Sequence, residues 1–216
     1  MNTLAATADP TVFVVDDDAS IRDALSLLIS LKGLRASVFA SAEDFLAVYD
    51  MGWRGCLLTD LKMSGMSGLE LQAMLREKNV TLPVVVLTAH GDVNTTRAAL
   101  KNGAVDFLEK PVDDDVLMDV LKNAIHIDEE RYRASAQRAQ TEARLSRLTT
   151  RERDVLGLLA EGLQHREIAE RLAISPRTVE VYKARMMEKL QCRTLAEVVR
   201  IGSEAPSDTS SSKSEG

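Results

Sequence analysis

Residues 12–18 read VFVVDDD and residues 56–60 read CLLTD: two short apolar runs that each stop on carboxylates. Runs of this length and composition, apolar throughout rather than alternating, are what strands buried on both faces of a parallel sheet require. If the two strands lie side by side, Asp16, Asp17 and Asp60 meet at their C-terminal ends, in the crevice where open α/β sheets bind ligands. Like charges gathered there repel one another unless a cation joins them. An all-oxygen, water-retaining donor set of that kind suits Mg²⁺.

Outward from this pair the pattern persists. Further apolar runs at 36–39, 83–87 and 105–108 alternate with helical patterns at 21–31, 41–48, 69–75, 93–100 and 116–125. Five strand and helix pairs in this order predict an α/β doubly wound parallel five-stranded sheet over residues 11–126. Pro83 can open its strand, where a missing N–H is tolerated. Helix starts are marked by Ser41 with Asp44, by Asp113, and by the capping-box pairs Thr149 with Glu152 and Thr194 with Glu197.

Residues 127–147 are charged and alanine-rich with little apolar periodicity, so they are expected to form an exposed helical linker, in line with or separate from the helix before it. Residues 148–202 carry four helical patterns and predict a second, smaller all-α domain. Disorder is expected at residues 1–10 and over the serine-rich segment 203–216, which has no large apolar side chain to offset its ordering entropy.

A length of 216 residues suits two modules, and the charge divides between them. The net −6 combines 18 acidic and 11 basic side chains over residues 1–126 with 8 acidic and 11 basic over residues 147–202. A nucleic-acid contact therefore belongs to the second half. Two cysteines in no paired spacing, Cys56 and Cys192, argue against a disulfide framework or a zinc site and suit a reducing compartment. Neither a signal peptide nor a membrane span is indicated, which predicts a cytoplasmic protein.

Two further residues complete the first site: Thr88 after the run 83–87, and Lys110, followed by Pro111, after the run 105–108. A carboxylate can accept a phosphoryl group, and in-line transfer needs chiefly positioning and positive charge on the equatorial oxygens. Asp60 is the expected acceptor. Asp17, helped by Asp16, would hold Mg²⁺ against it, Lys110 would supply a compact cation, and the Thr88 hydroxyl would donate to a phosphoryl oxygen. Taken singly, each residue has a plainer reading: Asp18 or Ser20 as a helix cap, Lys110 with Glu109 as a surface ion pair, Thr88 as a strand end, Phe107 as a core aromatic, His90 as an exposed loop side chain. The constellation favours the site.

Through VVDDD, TDLKMSGMSGLEL, VVVLTAHGD and DFLEKP, residues 12–125 resemble the receiver domain of two-component response regulators, a flavodoxin-like fold, and the FixJ-like subgroup in particular. The resemblance implies phosphoryl donation by a cognate sensor histidine kinase, a metal shell completed by the Lys62 backbone carbonyl, and switch positions at Thr88 and Phe107. It also departs from the pattern: Ser64 follows Met63 where the family usually has proline, which bears on the rigidity of that loop.

In the second half, helical patterns at 166–172 and 176–190 are joined by only Ala173, Ile174 and Ser175, which is helix-turn-helix spacing. Ser175 reads as the N-cap and Pro176 as the first helical residue. Val179, Met186 and Leu190 share one side of the second helix, with Tyr182 beside them; Arg177, Glu180, Val181, Ala184 and Glu188 share the other. Small or polar residues on a protruding face permit close approach to base edges, while Thr178, Lys183, Arg185 and Lys189 are expected at phosphates. The plainer reading is a solvated face with a local Glu180–Lys183 pair. LTTRERDVLGLLAEGL, REIAERLAISPRTVEVYKARMMEKL and RTLAEVV resemble the LuxR/NarL type of DNA-binding domain, which implies base reading by Glu180, Val181 and Ala184, with Lys183 just before the last of these. Departures lie at Gln164 and His165, before the scaffold helix, and at Tyr182, where histidine is frequent.

Together these readings predict a transcriptional regulator, not an enzyme, in which modification of Asp60 moves Thr88, rotates Phe107 inward and turns the surface of residues 93–108 into a dimer face. Its expected partners are the kinase, double-stranded promoter DNA, a second copy of itself when phosphorylated and, as a further candidate, RNA polymerase; no membrane is involved. Two other readings stay open: a phosphorylation-independent DNA binder with a vestigial receiver, and a Mg²⁺-dependent phosphohydrolase using Asp60 as a transient acceptor.

Overall fold

The computed structural model describes residues 9–89 and 93–204. Residues 1–8, His90 and the tail beyond Glu204 lie outside the described residues, and with them most of the two segments expected to be disordered. Two tail positions are corrected, because Ser203 and Glu204 belong to the last helix. The chain divides into two compact units between Arg133 and Ala134.

In the first unit, five parallel strands, β1 (Thr11–Val15), β2 (Arg35–Phe39), β3 (Gly55–Thr59), β4 (Val84–Thr88) and β5 (Asp106–Glu109), lie in the order β2-β1-β3-β4-β5. Helices α1 (Ala19–Leu31), α2 (Ala42–Val48), α3 (Gly68–Glu77), α4 (Val93–Lys101) and α5 (Asp114–Leu145) connect and follow them. Alternate residues of each strand feed opposite cores. Val12, Val14, Cys56, Leu58, Val85 and Leu87 pack with Leu25 and Ile29 of α1 and with Leu117, Met118 and Leu121 of α5. Phe13, Val15, Leu57, Val84 and Val86 pack on the other face with Phe45 of α2, Leu71 and Leu75 of α3 and Ala99 of α4. A sheet covered on both sides needs apolar residues at consecutive positions, which is why its strands read as unbroken runs.

The order reverses between β1 and β3, where a doubly wound sheet opens its ligand crevice. Register brings Val15 opposite Thr59, and the Asp60 N–H donates to the Val15 carbonyl at 2.8 Å. The residues after β1 and after β3 are therefore neighbours. Asp18 is the residue that caps α1, accepting from the N–H groups of Ser20 and Ile21.

The receiver helix and the linker prove to be one element, α5. Asp128, assigned to the exposed linker, is buried. Its carboxylate accepts from Arg54 Nε at 2.7 Å and from the Gly55 N–H at 3.0 Å, and the Arg54 guanidinium lies 3.7 Å from the centre of the Tyr132 ring. This contact between residues distant in sequence carries the helix well past Ile125. Only residues 130–140 are exposed throughout.

The second unit holds α6 (Thr150–Ala160), α7 (His165–Leu172), α8 (Pro176–Leu190) and α9 (Leu195–Glu204). Val155 and Leu159 of α6, Ile168 of α7, Val179, Met186 and Leu190 of α8, and Val198 and Ile201 of α9 form its core. Thr149 and Glu152 make both bonds of the capping box at the start of α6, and Ser175 caps α8 with Pro176 following.

Candidate functional site

At the C-terminal ends of β1, β3 and β5 the ammonium of Lys110 stands between two carboxylates, 2.8 Å from Asp16 Oδ2 and 3.6 Å from Asp60 Oδ1. Each of these side chains is nearly enclosed, with 4% of Asp16, 13% of Asp60 and 17% of Lys110 exposed. The Lys110 N–H donates to the Thr88 carbonyl at 2.8 Å, which ties β5 to β4, and Thr88 itself is buried. Asp16 is fixed from both sides: its Oδ1 accepts from the Asp18 N–H at 2.9 Å, and its carbonyl accepts from Arg22 Nη1 at 2.6 Å. Asp60 Oδ1 is buried without a hydrogen-bond partner among the described residues. Burial pushes the Asp60 carboxyl above its ordinary range; Lys110 pulls it down, Asp16 pushes it up, and the net direction is upward.

The loop after Asp60 returns against the backbone of Asp60 and Leu61. Gly68 packs so tightly that a Cβ there would collide with the Asp60 carbonyl oxygen, and its N–H donates to the Leu61 carbonyl at 3.0 Å. Lys62 is exposed on the loop, and Phe107 is half-buried against the α2–α4 face.

Asp17 does not join the cluster. Its Oδ2 accepts from the Ser64 N–H at 2.7 Å, and that bond, outweighing a slight desolvation of this exposed side chain, holds its carboxyl below the usual range. Among the described residues no three acidic, histidine or cysteine side chains are gathered closely enough to hold a metal ion. The expected convergence of Asp16, Asp17 and Asp60 is corrected to this extent: one ammonium bridges two carboxylates, and the third takes a backbone donor on the neighbouring loop. The donor chemistry still fits Mg²⁺. A buried carboxylate oxygen without a hydrogen-bond partner among the described residues, beside a second carboxylate, is what a hard divalent cation takes as ligands.

In the second unit α7 and α8 are joined by Ala173, Ile174 and Ser175, with Ala173 left-handed at φ 52°. Arg177, Glu180, Val181, Ala184 and Arg185 are exposed on α8, and Lys183 and Thr178 are half-buried. Among the described residues Arg177, Lys183 and Arg185 enter no ion pair, so the plainer local pair of Glu180 with Lys183 does not form. The Thr178 hydroxyl lies 2.7 Å from that of Ser175, within the cap. Lys189 is corrected. Its Nζ lies 2.6 Å from Glu152 Oε2, with the Glu152 side chain 3% exposed. Because the same oxygen accepts from the Thr149 N–H at 2.8 Å, Lys189 serves to neutralise a buried cap rather than to project from α8.

The comparisons with known proteins converge on this two-part architecture. Residues 12–122 match the family model of the response regulator receiver domain, and residues 146–201 match that of bacterial regulatory proteins of the luxR family. The chain is 39% identical over 194 residues to the transcriptional regulatory protein FixJ of Bradyrhizobium diazoefficiens, covering 90% of this chain and 95% of that one. It is 41% identical to FixJ of Azorhizobium caulinodans over 190 residues, 88% and 90% of the two chains. This chain belongs to the FixJ-like two-component response regulators. Among solved structures it is similar to the response regulator StyR, with a TM-score of 0.84 at 40% identity over 92% of this chain and all of that one. It is also similar to full-length FixJ from B. japonicum, with a TM-score of 0.56 at 37% identity over 92% and 98% of the chains. As a response regulator of this kind it regulates transcription and is not an enzyme. Among the described residues no helix of this regulator is long and apolar enough to cross a membrane.

The sequence reading named Asp16, Asp17, Asp60, Thr88 and Lys110 for one site; the side chains of Asp16, Asp60 and Lys110 meet directly, and Asp17 takes the Ser64 N–H instead. What it missed are the bond from the Ser64 N–H to Asp17, the pair of Arg54 with Asp128, and the pair of Glu152 with Lys189. Ser64 had a signal, an N–H where proline would have none; the other two are long-range pairs with no local pattern.

Proposed function

We propose that Asp60 is the phosphoryl acceptor of this regulator and that its modification controls dimerisation and promoter binding. What supports this most is the arrangement of Lys110 between Asp16 and Asp60, beside an Asp60 oxygen with no hydrogen-bond partner among the described residues. The donor is a phosphohistidine on a cognate sensor kinase: the Asp60 carboxylate oxygen attacks phosphorus, the P–N bond breaks, and the imidazole leaves with its electron pair and takes up a proton. Lys110 offers its ammonium to one equatorial oxygen and the Thr88 hydroxyl donates to another. Asp16, Asp17, Asp60 and the Lys62 carbonyl would hold Mg²⁺, which when bound neutralises charge on the phosphoryl oxygens. Autodephosphorylation is at most slow.

Thr88 drawn toward the phosphoryl group leaves space for Phe107 to turn inward, and the surface of residues 93–108 becomes the dimer face. A two-fold dimer then presents α8 to two half-sites. Glu180, Val181 and Ala184 meet base edges, Arg177, Thr178, Lys183 and Arg185 meet phosphates, and RNA polymerase is a further partner. The protein works in the cytoplasm. Promoter binding measured with and without a small phosphodonor, in the wild type and in Asp60→Asn, tests the coupling. Stimulation confined to the wild type is expected, and equal stimulation of both proteins overturns it.

A further inference from the structure

We propose that the Ser64 backbone N–H latches Asp17 away from the cation site, making Ser64 a positioning residue that weakens this regulator's grip on Mg²⁺. The proposal rests on the reading of the acidic pocket given under Proposed function.

Two carboxylates hold the loop between Asp60 and α3. Asp17 Oδ2 accepts from the Ser64 N–H at 2.7 Å, and Glu43 Oε1 accepts from the Met66 N–H at 3.0 Å. Gly65 between them has φ +90°, so the turn presents both flanking amides to the acids on either side. The consequence falls on Asp17. Asp16 and Asp60 share Lys110, while Asp17 is engaged by the loop, and no three acidic side chains gather among the described residues. Bringing Asp17 Oδ2 to a cation shared with Asp16 and Asp60 therefore requires breaking a charge-assisted hydrogen bond, the type worth more than a neutral one. A proline at position 64 has no N–H to donate, so this latch depends on the residue the chain carries there.

Mg²⁺ binding to the full chain, measured by calorimetric titration, should be roughly three- to tenfold tighter in Ser64→Pro than in the wild type, an exposed charge-assisted bond being discounted for solvent. Ser64→Ala keeps the N–H and removes only the hydroxyl, so it should shift affinity less. Because a proline can disturb a loop, the wild type supplies an independent readout: in ¹⁵N-labelled protein the Ser64 amide should lose its exchange protection as Mg²⁺ is added, in step with binding. Equal affinity of Ser64→Pro and wild type, or a Ser64 amide still protected at saturating Mg²⁺, overturns the latch alone. Failure of the wild type and both variants to bind Mg²⁺ at all overturns the latch together with the reading of the pocket.

Discussion

Arg54 and Asp128, 74 residues apart in sequence, form an ion pair 2.7 Å long in which only 11% and 7% of the two side chains are exposed. The pair joins the start of β3 to α5 beyond the segment where sequence alone ends the receiver helix. Removing one partner of a buried pair leaves the other charge without compensation, which typically costs about 3–5 kcal/mol. Arg54→Met should therefore destabilise the first unit by about 3 kcal/mol in denaturant titrations. It should also loosen the turn of α5 around Asp128, seen as faster amide exchange there.

Asp60→Asn should stabilise the protein at neutral pH, by about 1 kcal/mol or a few degrees in melting temperature. The sign follows from the raised Asp60 carboxyl. A folded-state value above the unfolded one makes protonation favour folding, a contribution present at low pH and lost as pH rises through the folded value. At neutral pH the ionised carboxylate costs stability that the amide does not. The difference between the proteins should shrink as pH falls through the carboxylate range; a constant difference would assign it to packing instead.

The opposite sign holds for Glu152. Burial raises its carboxyl, but the bonds from Lys189 and Thr149 outweigh burial and bring it below the ordinary value. Its stabilisation is present above the unfolded value and is lost as pH falls through the depressed one. Lys189→Ala should destabilise the second unit by about 1–3 kcal/mol near neutral pH, the lower end reflecting the 35% exposure of Lys189. That loss should fade in acid.

On DNA, Arg177→Ala and Arg185→Ala should each weaken binding to promoter and random duplex alike and reduce the slope of log K against log salt by about 1. Lys189→Ala should leave the slope unchanged, because its ammonium is committed to Glu152.

The sheet was legible because parallel strands covered on both faces must read as short apolar runs, and because acids punctuate their ends. Helix starts were legible for a similar local reason: Ser41, Thr149 and Ser175 each need only a partner three residues on. The meeting of Asp16, Asp60 and Lys110 could be anticipated from the strand order such a pattern forces. Arg54 with Asp128 and Glu152 with Lys189 could not, since a side-chain pair across 74 or 37 residues leaves no periodic trace. Asp17 shows the limit within the site itself: its place at a strand end was legible, but its choice of the Ser64 N–H depends on how a loop turns at Gly65.

The most direct test of the central claim is the intact mass of the protein after incubation with a small phosphodonor and Mg²⁺. The wild type should gain one phosphoryl group, and no gain should appear when a chelator is present from the start or when Asp60→Asn replaces the wild type. An equal gain in Asp60→Asn would contradict the assignment of Asp60 as the acceptor.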